Sequence, residues 1–262
     1  MDIKKLMGCT DEKPLDELIS DGGFVPIFNK IACIGDSLSS GELQLKNADG
    51  TNAYFDFYEY SWGKFMEKLV GREVCVFARG GMTARAYRNE FANKMGYFKR
   101  ELAANAYIIA LGVNDLLNHD TPIGDISDID PADPSKNADT YIGCYAYIIQ
   151  RYKAIQPDAK FFLTTVPRST DRGEERMKRS MGQRDAVYRL AEYFDNCYVI
   201  DFFEYAPDFD QKFRDTFFLN GHMSPAGYQL IARMFVSYID YIIRKNHADF
   251  KEVGLMGVDR SN

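Results

Sequence analysis

Four short stretches of the 262-residue chain carry groups suited to nucleophilic acyl transfer, and they follow one another in order. Ser37 lies in "IACIGDSLSSGE" (31–42), Gly80 and Gly81 in "FARGGMTARAY" (77–87), Asn114 in "ALGVNDLL" (110–117) and His222 in "FFLNGHMSPAGYQLIARMF" (217–235). A serine at the end of a buried strand, with a helix beginning after it, holds its hydroxyl near positive helix ends in the crevice where parallel sheets bind ligands. The same position also suits a helix N-cap or a phosphate-binding turn. Ser39 and Glu42 have the Ser-x-x-Glu spacing of a capping box. The stretch is not a Gly-x-Ser-x-Gly nucleophile elbow, because Ser39 occupies the second glycine position.

A glycine at 81 lets a backbone N–H approach an anion, and an asparagine amide at 114 can donate to an oxyanion. His222 directly precedes Ser224-Pro225, a natural cap and first residue of a helix. Each block alone has a plain structural reading as a turn, a cap or a solvated loop. Consecutive strand ends of a parallel sheet nevertheless converge on one crevice, which gives their recurrence its weight.

The elements that must position them are short apolar runs: "KIACIGD" (30–36), "EVCVFA" (73–78), "AYIIALG" (106–112), "KFFLTTV" (160–166) and "CYVIDF" (197–202). Between them "WGKFMEKLVG", "YIGCYAYIIQRYKAI" and "RMKRSMGQRDAVYRLAEYF" carry apolar residues at helical spacing. Buried strands alternating with helices predict a five-stranded parallel sheet in a flavodoxin-like three-layer α/β/α sandwich. Asp49-Gly50 predicts a hairpin inserted after the Ser37 turn. Residues 118–139, rich in proline and acids, read as a long surface loop of the kind that builds substrate walls, and Asp125, Asp128, Asp130 and Asp133 within it do not have EF-hand spacing. Without a repeat or composition shift, 1–262 is expected to be one domain with a catalytic core over about 28–240.

Composition excludes several classes. A net charge of −6 with 46% hydrophobic residues describes an acidic globular chain without the basic stripe that attracts nucleic acid. Cys9, Cys33, Cys75, Cys144 and Cys197 are odd in number and widely spaced, which signals neither a disulfide framework nor a zinc site. Cys33 and Cys75 read as small core residues of strands. No stretch has the length of a membrane span and the N-terminus has no apolar signal core, so the chain as given reads as cytoplasmic.

With these blocks in place, the chain resembles the GDSL, or SGNH, hydrolase family over roughly residues 28–240, beginning with "GDSL" at 35–38. The resemblance implies Ser37 as nucleophile, His222 as general base, and an oxyanion hole made of the Ser37 and Gly81 N–H groups with the Asn114 amide. It implies a small-molecule ester substrate and no metal or organic cofactor. The family's Asp-x-x-His would place an acid at 219, where this chain has Leu219. Two substitutes stay open: Asp215, or a backbone carbonyl near Leu219 acting in a dyad. The expected function is hydrolysis of carboxylic esters, short acyl or acetyl groups and some of them on carbohydrates, through an acyl-enzyme. The alternatives are a ligand-binding module that keeps the fold without the chemistry, and a phosphate or flavin binder using the Ser37 loop.

Overall fold

The computed structural model describes residues 7–8 and 11–258; Cys9 lies outside them. The five apolar runs form one parallel sheet from β1 (Lys30–Gly35), β4 (Glu73–Ala78), β5 (Ala106–Ala110), β6 (Lys160–Thr164) and β7 (Cys197–Ile200), in the order β4-β1-β5-β6-β7. Neighbouring strands are joined through helices, as parallel pairing requires. α1 (Trp62–Val70) precedes β4, a helical stretch over 84–95 precedes β5, α2 (Tyr141–Ile155) precedes β6 and α3 (Glu174–Tyr193) precedes β7, while α4 (Gln211–Phe217) and α5 (Pro225–Lys245) follow β7.

Side-chain alternation along the strands divides the core in two. On β1, Ile31 and Cys33 pack in a cluster with Trp62, Met66 and Phe235 of α1 and α5. Ala32 and Ile34 face the opposite cluster, with Tyr145 and Ile149 of α2 and Leu190 of α3. Both sheet faces are thus covered, which is why the strands read as continuous apolar runs rather than alternating ones. Cys33 is a core residue as expected, whereas Cys75 on edge strand β4 is only half-buried.

The predicted hairpin is present: β2 (Glu42–Lys46) pairs antiparallel with β3 (Asn52–Asp56), Glu42 lying opposite Asp56 at its base. Gly50 at its tip has φ of +83°, the left-handed conformation such a turn demands. Ser224 caps α5 by accepting from Gly227 N–H at 3.2 Å, with Pro225 in the first turn.

One expectation needs correction. The capping box of Ser39 and Glu42 is absent, because the helical turn Ser37–Ser40 ends at Gly41, whose φ of +74° stops it after four residues. Asp36 is its cap, accepting from Leu38 N–H at 3.0 Å. Ser39 is buried and accepts from Trp62 Nε1 at 3.2 Å, while Glu42 opens β2. The 118–139 segment, in turn, builds two 3-10 turns (Ile126–Asp128 and Pro134–Lys136) and is tied to Arg88 on one side and, through Asp125, to Arg189 on the other. Its acids cap its own turns: Asp125 and Asp128 form a reciprocal capping box, and Asp133 accepts from Ser135 N–H. Among the described residues no group of three or more His, Cys, Asp or Glu could hold a metal ion.

Candidate active site

All four sequence-predicted positions, Ser37, Gly81, Asn114 and His222, line one open cleft at the C-terminal edge of the sheet. Ser37 follows β1 and starts the turn capped by Asp36. The carboxyl of Asp36 is fully buried, and burial pushes its pKa up to about 7 against the opposing Leu38 N–H bond, with Asp115 and Glu42 adding to the rise.

Gly81 follows β4 with φ of +70°, where an added Cβ would meet open space; conformation alone explains the glycine. Its neighbour Gly80 is glycine for another reason, since a Cβ there would lie 2.0 Å from Glu42 Oε2. Asn114 sits in a π-helical segment after β5, a local underwinding frequent at functional sites. Asn118 Nδ2 donates to Asn114 Oδ1 at 2.8 Å, which fixes the amide. Asn114 Nδ2 is thereby turned toward Met82 O at 3.0 Å and Asp36 Oδ2 at 3.5 Å. The next residue, Asp115, is buried and accepts from Ala84 N–H at 2.9 Å, joining the loop after β5 to the loop after β4. Burial raises its carboxyl to about 6 despite the Ala84 and Arg85 N–H groups.

His222 stands in a small antiparallel pair, β8 (Phe218–Leu219) with β9 (His222–Met223), in which Leu219 is its register partner. The hairpin holds this loop: Gln44 Oε1 accepts from Gly221 N–H and Gln44 O accepts from Asn220 Nδ2, both at 2.8 Å. The imidazole Nε2 lies 3.0 Å from Glu42 Oε1, both side chains being largely buried. Tyr54 of β3 covers the ring edge-on at 5.9 Å. His222 Nδ1 is buried with no hydrogen-bond partner among the described residues. The nearest carboxylate is therefore Glu42, on the hairpin. Asp215 is exposed on α4 and accepts from Gln211 Nε2 at 2.7 Å, away from this role. Nor does a carbonyl near Leu219 reach the ring, since Nδ1 is unpartnered.

Burial lowers the pKa of His222, offset in part by Asp56. Burial also raises Glu42, as does Asp56. Tyr228 of α5 completes the frame by donating to Glu42 O at 2.6 Å and Ser37 O at 3.4 Å. The far wall comes from residues 166–176 with Phe209 and Arg214, rather than from the 118–139 loop, which contributes Asn118 alone.

This ordered set of strand-end groups on a β4-β1-β5-β6-β7 sheet agrees with a profile of the GDSL-like lipase/acylhydrolase family, which matches residues 33–230. The chain belongs to that family. As a GDSL-like protein it has the framework of a hydrolase, and its fold recurs in solved structures of low sequence similarity. A carbohydrate esterase family 2 enzyme from Corynascus thermopiles (Myceliophthora fergusii) is 18% identical, with TM-score 0.56 over 88% of this chain and 69% of that one. A family two carbohydrate esterase from Clostridium thermocellum, solved with cellohexaose, is 17% identical, with TM-score 0.56 over 92% of this chain and 67% of that one. The psychrotrophic esterase EstA from Pseudoalteromonas sp., inhibited by monoethylphosphonate, is 15% identical, with TM-score 0.53 over 82% of this chain and 98% of that one. No curated protein sequence matches the chain. No helix of the described residues is long and apolar enough to cross a membrane.

Proposed function

We propose that this GDSL-family chain is a serine esterase that cleaves carboxylic esters of short acyl groups, acetyl groups on carbohydrates among them, through an acyl-enzyme on Ser37. The observation that carries this reading is the meeting of Ser37, Gly81, Asn114 and His222 in one cleft, with a buried carboxylate 3.0 Å from the imidazole. Glu42 takes the place that the absent acid at 219 leaves open. With Nε2–H donated to Glu42, the lone pair resides on Nδ1, the nitrogen left to take a proton. Burial holds the imidazole below its ordinary pKa, so it is neutral near pH 7 with its lone pair free to accept a proton.

In this mechanism Ser37 Oγ attacks the ester carbonyl while His222 accepts its proton. The carbonyl oxygen becomes an oxyanion held by the N–H groups of Ser37 and Gly81 and by Asn114 Nδ2. His222 then gives the proton to the departing alcohol, and water repeats the sequence to release the acid. Ser37 Oγ is not one of the imidazole's partners in the unliganded protein, so the serine and Nδ1 must come together on substrate binding, as catalytic hydrogen bonds often do. That same separation supports a second reading, a binding module that holds an ester or sugar without cleaving it.

A fluorophosphonate probe and 4-nitrophenyl acetate separate the two. Labelling and hydrolysis that both vanish in Ser37→Ala, with an unchanged thermal melt, are expected for the esterase. Turnover retained by Ser37→Ala, or an unlabelled wild-type serine, would overturn it.

A further inference from the structure

The charges around the cleft are divided between its sides. Asp36 and Glu42 stand by the Ser37 turn, whereas Arg172, Arg176 and Arg214 line the far wall. Arg214 is compensated: it pairs with Asp171 and donates to Ser169 Oγ at 3.2 Å. The guanidinium groups of Arg172 and Arg176 have no hydrogen bond or ion pair among the described residues. Arg176 is half-buried, and burial together with the positive charges of Arg172 and Arg214 lowers its pKa. Such a cluster costs folding free energy, and in a chain of net charge −6 it does not follow from composition. A guanidinium presents a planar fork of donors that matches the oxygens of a carboxylate or phosphate, which a neutral sugar hydroxyl does not.

We infer that the ester substrate carries an anionic group, a carboxylate or a phosphate, seated between Arg172 and Arg176 while its ester lies at Ser37. The inference rests on the esterase reading for the reaction, but the anion seat itself does not require turnover. The seat also gives the cleft a direction, since a substrate anion is drawn to the arginine wall and away from the Glu42 side of the cleft.

Three acetyl esters test it: methyl 4-acetoxybenzoate, which is neutral, 4-acetoxybenzoate, and 4-acetoxyphenyl phosphate. Wild-type protein is expected to favour one or both charged esters in kcat/KM. The double variant Arg172→Gln/Arg176→Gln should lose about tenfold to a hundredfold more on the favoured anion than on the neutral ester, the range for charged hydrogen bonds. Raising the salt concentration should shrink the preference in wild type. Whichever anion shows the larger effect identifies the group. Equal loss on all three esters, or no preference in wild type, overturns the inference.

Should wild type hydrolyse none of them and Ser37 resist the fluorophosphonate, the esterase reading fails and calorimetric titration with inorganic phosphate and with 4-hydroxybenzoate decides. Binding by wild type that the double variant loses then upholds the anion seat. Absence of arginine-dependent binding removes it.

Discussion

Replacing Glu42 by glutamine keeps the shape of the side chain and its acceptor oxygen but removes a charge 3.0 Å from His222 Nε2. Between unit charges at that separation, an effective dielectric of about 20 gives an attraction of about 5 kcal/mol. The glutamine oxygen still accepts the N–H, and water reaches both side chains in part, so about 3 kcal/mol is a reasonable net loss from the imidazolium-forming transition state. That corresponds to a fall in kcat of about a hundredfold. The pH profile gives an independent reading. Loss of the anion makes the imidazolium easier to deprotonate, so the acidic limb of kcat/KM should move to lower pH by about one unit or more. Wild type and variant should also converge as pH falls and Glu42 itself takes up a proton. Because burial and Asp56 raise Glu42 above an ordinary glutamate, this convergence begins at a higher pH than an exposed glutamate would give. Steady-state hydrolysis of 4-nitrophenyl acetate across pH 4–9, with circular dichroism to check folding, reads both effects. A folded Glu42→Gln protein within threefold of wild type and with an unmoved acidic limb would refute the assignment and leave His222 acting without a carboxylate.

Asp215→Asn should change kcat by less than about threefold, because Asp215 is exposed and among the described residues its hydrogen bond is to Gln211; the same assay detects a larger loss. Asn114→Ala should lower kcat by about a hundredfold to a thousandfold with little change in KM, as expected of an oxyanion donor, and a change confined to KM would instead make it a substrate contact. Gly80→Ala places a Cβ 2.0 Å from Glu42 Oε2. The carboxylate must swing away, so activity should fall toward that of Glu42→Gln while the melting temperature drops by only a few degrees. Full activity in Gly80→Ala would show that Glu42 need not stay where it is.

The strand ends could be read from the sequence because parallel strands buried on both faces are uninterrupted apolar runs, and each of Ser37, Gly81 and Asn114 sits just beyond one. The partner of His222 could not. Glu42 is 180 positions upstream, so no short spacing pattern links the two, and its nearest local signal, the Ser-x-x-Glu motif, points to a helix cap. Only Gly41 ending the turn, and the fold of the hairpin over β8 and β9, turn that side chain toward the imidazole. Similarly, Arg172 and Arg176 precede and open a helix with no motif to mark them. Their meaning depends on Arg214, which arrives from a separate helix, α4. Composition suggests a cleft wall for 118–139, but Asp125, Asp130 and Asp133 there accept from N–H groups of the segment's own turns.

The β2–β3 hairpin separates two kinds of sequence freedom within a few residues. Glu42 and Gln44 point to the same side of β2, one toward the imidazole and the other onto the backbone of its loop, and both lie toward the hairpin's base. The tip around Asp49-Gly50 is exposed and touches neither. Loop grafts, tags or peptide insertions at the tip would therefore leave the site undisturbed, since the ladder below fixes the register. Removing Leu43 would shift Glu42 by one position of the pleat and turn its carboxylate to the opposite face, away from the histidine. For anyone redesigning this protein, the hairpin is a handle at one end and a gauge at the other.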